Sequence, residues 1–215
     1  AVVNTGIVDS PEKARETGDR LAHEVLDLIL LYVSTYALSS TVLPVVQRAK
    51  APVLVLNLQP VRAIDYDTFN ALGDRGVMTG EWLAHCQACA MPEIASVFNC
   101  AGIDYHLVTG TLDDDDAWAE IMAWLAAARV AREMRNARVG VLGHDYCGML
   151  DVYTDMTRLA ADFGVHFELL EMCELHRLRE EAGPDAEREK REQFARDFDV
   201  DPDCAEEEIA RAART

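Results

Sequence analysis

The 215-residue chain carries 38 acidic against 20 basic side chains, a formal charge of −18. That length permits one or two domains, each with its own core, and excludes a mini-protein that folds only around a metal or disulfides. The charge repels phosphate backbones and anionic lipid surfaces, and no local basic patch reverses it, so nucleic acid and membrane are not expected as partners.

The chain begins at Ala1 in what reads as the end of a strand, and the front of a domain is expected to be missing. DSPEKARETGDRLAHE predicts a helix, with Asp9 or Ser10 as cap and Pro11 in the first turn, where no amide hydrogen is needed. LDLILLYV is apolar without alternation, the pattern of a strand buried on both sides. The longer run from Val25 contains Asp27 and is far shorter than a bilayer span, and no charged-then-apolar leader precedes it, so the chain reads as soluble and cytoplasmic. In STYALSSTVLPVVQRAK the run Ser39-Ser40-Thr41 starts a helix that keeps Pro44 in its first turn. PVLVLNL is a second buried strand. TGEWLAHCQACAMPEIASVFNCAG predicts a helix interrupted or restarted at Pro92 and ended by Gly102.

The strand YHLVTG is followed by DDDDAWAEIMAWLAAARVAREMRN, a helix with Trp118, Ile121, Met122 and Leu125 expected on one face. Its four aspartates, Asp113 to Asp116, lack the spaced ligands and glycine of a calcium loop and read as an acidic helix start. After RNAR the pattern restarts with strand RVGVLG, loop HDYCG, helix MLDVYTDMTRLAADFG and strand VHFELLEM. From Glu174 to Thr215 the chain is charged and helical, broken at Gly183-Pro184 and Asp201-Pro202. This alternation predicts an α/β fold with parallel sheets and helices on both faces, divided near residue 135 into domains spanning 1–135 and 136–215.

Six cysteines at irregular spacing read as reduced thiols. Cys86-x-x-Cys89 invites a metal or redox reading. Zinc would need a second close pair, and Cys100, Cys147, Cys173 and Cys204 are isolated. Redox use would need the pair at a helix N-terminus, whereas the pattern places it inside a helix, so both residues are assigned to packing. His85, His106 and His166 read as structural or surface residues. Two loops fit the crevice beyond the carboxyl ends of parallel strands. One is Asn57-Leu58-Gln59-Pro60, where amide side chains can donate and accept; the other is Gly143-His144-Asp145-Tyr146-Cys147-Gly148, whose polar and aromatic groups suit a polyhydroxylated ligand. Neither a nucleophile elbow nor a phosphate loop nor a dinucleotide fingerprint is present.

The blocks LLYVSTYALSSTVLPVVQRAKAPVLVLNLQP, GEWLAHCQACAMPEIASVFNCAGIDYHLVTG and RVGVLGHDYCGMLDVYTDMTRLAADFGVHFELLEMCEL together resemble the amino-terminal half of L-arabinose isomerase-type enzymes, within the L-fucose and L-arabinose isomerase superfamily. The resemblance runs from Gly6 to the end of the chain. It implies a flavodoxin-like first domain and an α/β second domain, both truncated here, and an aldose–ketose isomerisation assisted by manganese. It further implies a homo-oligomer whose site is completed across a subunit interface. On that reading Gln87, His144 and Tyr146 are substrate-binding residues, and Gln59 of the strand-end loop is expected to join them. No catalytic acid and no metal ligand is assigned to this chain, since Glu81, Glu93, Asp145, Asp151 and Asp155 match none of the family's, which are expected past Thr215. The alternative is a non-catalytic sugar-binding or oligomerising α/β protein.

Overall fold

In the computed structural model, which describes residues 1–215, helix α1 (Pro11–Ala22) begins at its expected cap, with the Lys13 amide donating to Ser10 Oγ at 3.2 Å. The chain divides into two units, Ala1–Glu133 and Met134–Thr215. In the first, strands β1 (Ile29–Tyr32), β2 (Val53–Gln59) and β3 (Tyr105–Thr111) form a parallel sheet in the order β1-β2-β3. The central strand is buried without interruption from Val53 to Leu58, as a strand covered on both faces must be. Alternation along β2 divides its side chains between two cores. Val53 and Val55 pack with Ala14 and Leu21 of α1, Val42, Val45 and Val46 of α2 (Ser39–Val46), and Ile94 and Phe98 of α5 (Gln87–Ala101). Leu54, Leu56 and Leu58 face the other way, against Val108 and against Ala117 and Ile121 of α6 (Asp115–Arg135). The fold class is α/β, with helices flanking a parallel sheet.

Several local expectations are corrected. Strand β1 is an edge strand: Leu30 and Tyr32 remain 46% and 44% exposed, because the helical layer that covers β2 does not extend over them. Pro44 lies inside α2 rather than in its first turn. Leu38, the cap residue, makes no side-chain capping bond, and Glu93 of α5 supplies that acceptor from across the interface. The segment read as one helix around the cysteines is two, α4 (Arg75–Ala84) and α5, with the break at His85-Cys86; Pro92 is accommodated within α5. A short helix α3 (Tyr66–Ala71), capped by Asp65, precedes them. On α6 the buried line is Ala117 and Ile121, extended by partly buried Trp124, while Trp118, Met122 and Leu125 are exposed. Trp118 is turned outward by a hydrogen bond from its indole Nε1 to the Leu112 carbonyl at 2.9 Å.

The second unit contains a parallel pair, β4 (Arg138–Leu142) and β5 (His166–Leu170). The helix expected over Met149–Gly164 is instead a 3-10 turn, Leu150–Val152, and a helix α7 (Met156–Phe163). Asp155 sets that later start by accepting from the Arg158 amide at 3.0 Å. Helices α8 (Met172–Glu181), α9 (Pro184–Asp197) and α10 (Glu206–Arg214) follow, broken at the anticipated positions. A two-stranded parallel sheet has little apolar layer of its own, and Leu142, Leu169 and Leu170 stay 47%, 67% and 40% exposed. No helix of the chain is long and apolar enough to cross a membrane.

Candidate functional site

The carboxyl end of β2 is polar where the rest of the strand is apolar. Asn57 stands opposite Thr109 and Gln59 opposite Thr111 in the parallel register. The Asn57 amide hydrogen-bonds to Thr109 Oγ1 at 3.2 Å. Because α4 stops at Ala84 and α5 starts at Gln87, the intervening turn directs a carbonyl, an amide hydrogen and the Gln87 side chain toward this strand end. The Gln59 amide is satisfied in one orientation: its nitrogen donates to the His85 carbonyl at 3.1 Å and to Gln87 Oε1 at 2.9 Å, and its oxygen accepts from the Ala88 amide at 3.0 Å. In the opposite orientation the Gln59 nitrogen instead donates to Asn57 Oδ1 at 2.9 Å, while the Asn57 nitrogen serves Thr109.

Gln87 completes the cluster. It is 2% exposed, and its Nε2 donates to the Ser34 carbonyl at 3.0 Å and the Ala84 carbonyl at 2.8 Å. Thr35, next along the β1 loop, donates through Oγ1 to the Leu83 carbonyl at 2.8 Å. A continuous polar network therefore ties the ends of all three strands to the α4–α5 turn. Every buried polar side-chain atom in the chain has a partner. The cluster is consequently a pre-organised polar floor at the strand ends, its donors largely spent on one another.

Two carboxylates flank it. Glu93 accepts from Ser39 Oγ at 2.6 Å and from the Ser39 amide at 3.2 Å, and these bonds, the hydroxyl first, hold its carboxyl below the ordinary glutamate range. Asp113 accepts from Thr111 Oγ1 at 2.5 Å and is lowered chiefly by that bond. Both are ionised acceptors, Glu93 at the start of α2 and Asp113 on the last residue of β3, rather than acids poised near neutrality.

The same turn relocates the cysteines. Cys86 is the residue that caps α5, with φ −100° and ψ 26°, and Cys89 is the third residue of the helix, its amide donating to the Cys86 carbonyl at 3.2 Å. The expectation of a pair buried in mid-helix is therefore corrected: these thiols lie at a helix start.

In the second unit, Gly143 and Gly148 bracket their loop with φ +79° and +89°, conformations that a side chain would strain. His144 and Tyr146 are exposed, Tyr146 to 74%, and the Gly148 amide is held by the Tyr153 hydroxyl at 3.1 Å. Of the four residues expected to bind substrate, Gln59 and Gln87 touch; His144 and Tyr146 share a solvent-facing loop of the other unit. Asn57 and Thr109 join the first pair, and Thr109 was legible only through the strand register. His85 lies 3.6 Å from Glu81, and His106 Nε2 is 2.6 Å from Glu120 Oε1 with its ring against Trp124, both ordinary surface arrangements.

Two open hollows lie elsewhere. One is a groove of about 640 Å³ that includes Arg191, Phe194, Phe198 and Ile209; the other, about 410 Å³, is lined by Phe69, Met78 and Trp82 among others. No group of three or more His, Cys, Asp or Glu side chains is gathered where it could hold a metal ion. No protein-family model matches the chain, and no curated protein matches its sequence.

Proposed function

We propose that this chain is a portion of an aldose–ketose isomerase of the L-arabinose type, supplying scaffold, subunit interface and part of the substrate wall. The observation that carries the reading is the amide cluster of Asn57, Gln59 and Gln87 at the carboxyl ends of a parallel sheet, the place where α/β folds bind ligands. Amides and hydroxyls already bonded to one another make a fixed, uncharged floor at these strand ends, which suits a neutral polyol lying over it and offers nothing to neutralise a charged ligand. The ordered resemblance of the sequence blocks supports the sugar and the flavodoxin-like character of the first unit.

Isomerisation moves a proton between adjacent carbons, which requires an acid–base pair and an electrophile for the sugar oxygens. No group of three or more His, Cys, Asp or Glu side chains is gathered here for a manganese ion, and Glu93 and Asp113 are engaged with the hydroxyls of Ser39 and Thr111. Its own contribution is to orient: the Gln59–Gln87 pair holds the α4–α5 turn against the strand ends, and the Gly143–Gly148 loop offers His144 and Tyr146. The exposed apolar side chains of β4 and β5 support an assembly role, in a cytoplasmic homo-oligomer.

The test is an isomerase assay on L-arabinose with added manganese, comparing these 215 residues with a version extended along its reading frame. Turnover is expected in the extended form alone, and His144→Ala or Tyr146→Phe should raise its KM or lower its kcat. Turnover by the present chain, or an extended form inactive on aldopentoses and aldohexoses alike, would sink the reading.

A further inference from the structure

The α4–α5 turn brings together two thiols of opposite character. Cys86 is 1% exposed, whereas Cys89 is open to solvent. Cap and third-residue positions at a helix start lie on the same side, the geometry that capping pairs exploit, and Cys86 and Cys89 occupy these two positions, with the Cys89 amide donating to the Cys86 carbonyl at 3.2 Å. Burial, then the neighbouring Cys89, push the Cys86 thiol up to about 11. Only Cys89 can meet an oxidant in solution, and only Cys86 is placed to attack what Cys89 then carries. The two residues between them, Gln87 and Ala88, are the ones that grip Gln59.

We propose that Cys86 and Cys89 form a reversible thiol–disulfide pair, oxidised by small-molecule disulfides, whose closure loosens the amide cluster built on Gln59 and Gln87. In the first step the Cys89 thiolate attacks one sulfur of R–S–S–R, forming a Cys89–S–S–R mixed disulfide and expelling a thiolate, which takes up a proton. Cys86 then loses its proton to solvent and attacks Cys89 Sγ. The Cys86–Cys89 bond forms, the Cys89–S–R bond breaks, and a second thiol departs. Two protein thiols are oxidised and one external disulfide is reduced to two thiols.

The coupling follows from dimensions. A disulfide fixes its Cβ atoms about 3.8 Å apart and its torsion at about 90°. Closing it between the cap residue and the third residue therefore moves the first turn of α5. Its amide at Ala88 and its side chain at Gln87 are both committed to Gln59, so the distortion is transmitted to the ends of β1 and β2. This inference is independent of the isomerase reading, since it uses neither a sugar nor a metal.

The experiment equilibrates the intact chain with mixtures of oxidised and reduced glutathione, quenches in acid, and maps each cysteine by mass spectrometry. Cys100, Cys147, Cys173 and Cys204, all exposed, serve as internal controls. The Cys86–Cys89 link is expected at a glutathione poise about tenfold more reducing than the one that gives the controls their single adducts. In Cys86→Ser the adduct should remain on Cys89. Hydrogen exchange at the Ala88 amide should rise on oxidation while that at Phe98 is unchanged. Cys89 carrying a stable glutathione adduct in the native chain, or both residues unreacted when the controls are fully modified, would overturn the pair. A formed link with unaltered Ala88 exchange would overturn its coupling to the cluster.

Discussion

Gly18 lies on α1 where that helix crosses α2, and a methyl group there would fall deep inside the radius of the Pro44 carbonyl oxygen, with the carbonyl carbon 3.0 Å and Val45 Cα 3.5 Å away. The obstruction is backbone, so no side chain can rotate aside; the two helices must separate, disturbing Ala14, Leu21, Val42, Val45 and Val46 together. Overpacking of this kind costs about 3 kcal/mol, and alanine returns about 1 kcal/mol of helix propensity, leaving Gly18→Ala destabilised by about 2 kcal/mol. Gly80, inside α4, is the matched control: a methyl group added there would have nothing within 4 Å, so Gly80→Ala should stabilise by about 1 kcal/mol. All three tryptophans, Trp82, Trp118 and Trp124, belong to the first unit, so urea unfolding followed by their fluorescence reports on that unit. Equal or parallel shifts in the two variants would refute the claim that α1 and α2 are in backbone contact at this point.

Gln87→Leu removes the donors that satisfy the Ser34 and Ala84 carbonyls and the acceptor for Gln59, and should destabilise the same unit by about 2 kcal/mol in the same assay, against no change if the cluster is ornamental. Glu93→Gln keeps an acceptor for Ser39 but loses the charge. Since the folded carboxyl is lowered, its contribution is complete above the ordinary glutamate range and disappears as pH falls through the lower folded value; the stability gap between wild type and variant should therefore shrink as the solution is acidified through that range. A gap independent of pH would disprove the charge's role.

Fold class was readable from the sequence because uninterrupted apolar runs such as Val53–Leu58 have one economical solution, a parallel strand between helical layers. Local chemistry was equally readable wherever one residue decides it, as at Ser10, Gly102 and the Gly183-Pro184 break. What failed depended on neighbours distant in the chain. Pro44 lies in the interior of α2, whose first residue, Ser39, is capped by Glu93, fifty-four residues further along the chain. The exposure of Leu30 and Tyr32 follows from the position of β1 at the sheet edge, which composition does not encode. Gln59 and Gln87 were both singled out by sequence, but their contact, and the helix break that makes it possible and carries Cys86 to a helix start, exist only once β2 meets the α4–α5 turn. Sequence periodicity determines which faces must be buried; hydrogen bonds between segments far apart determine where each helix begins, and with it which side chains can act together.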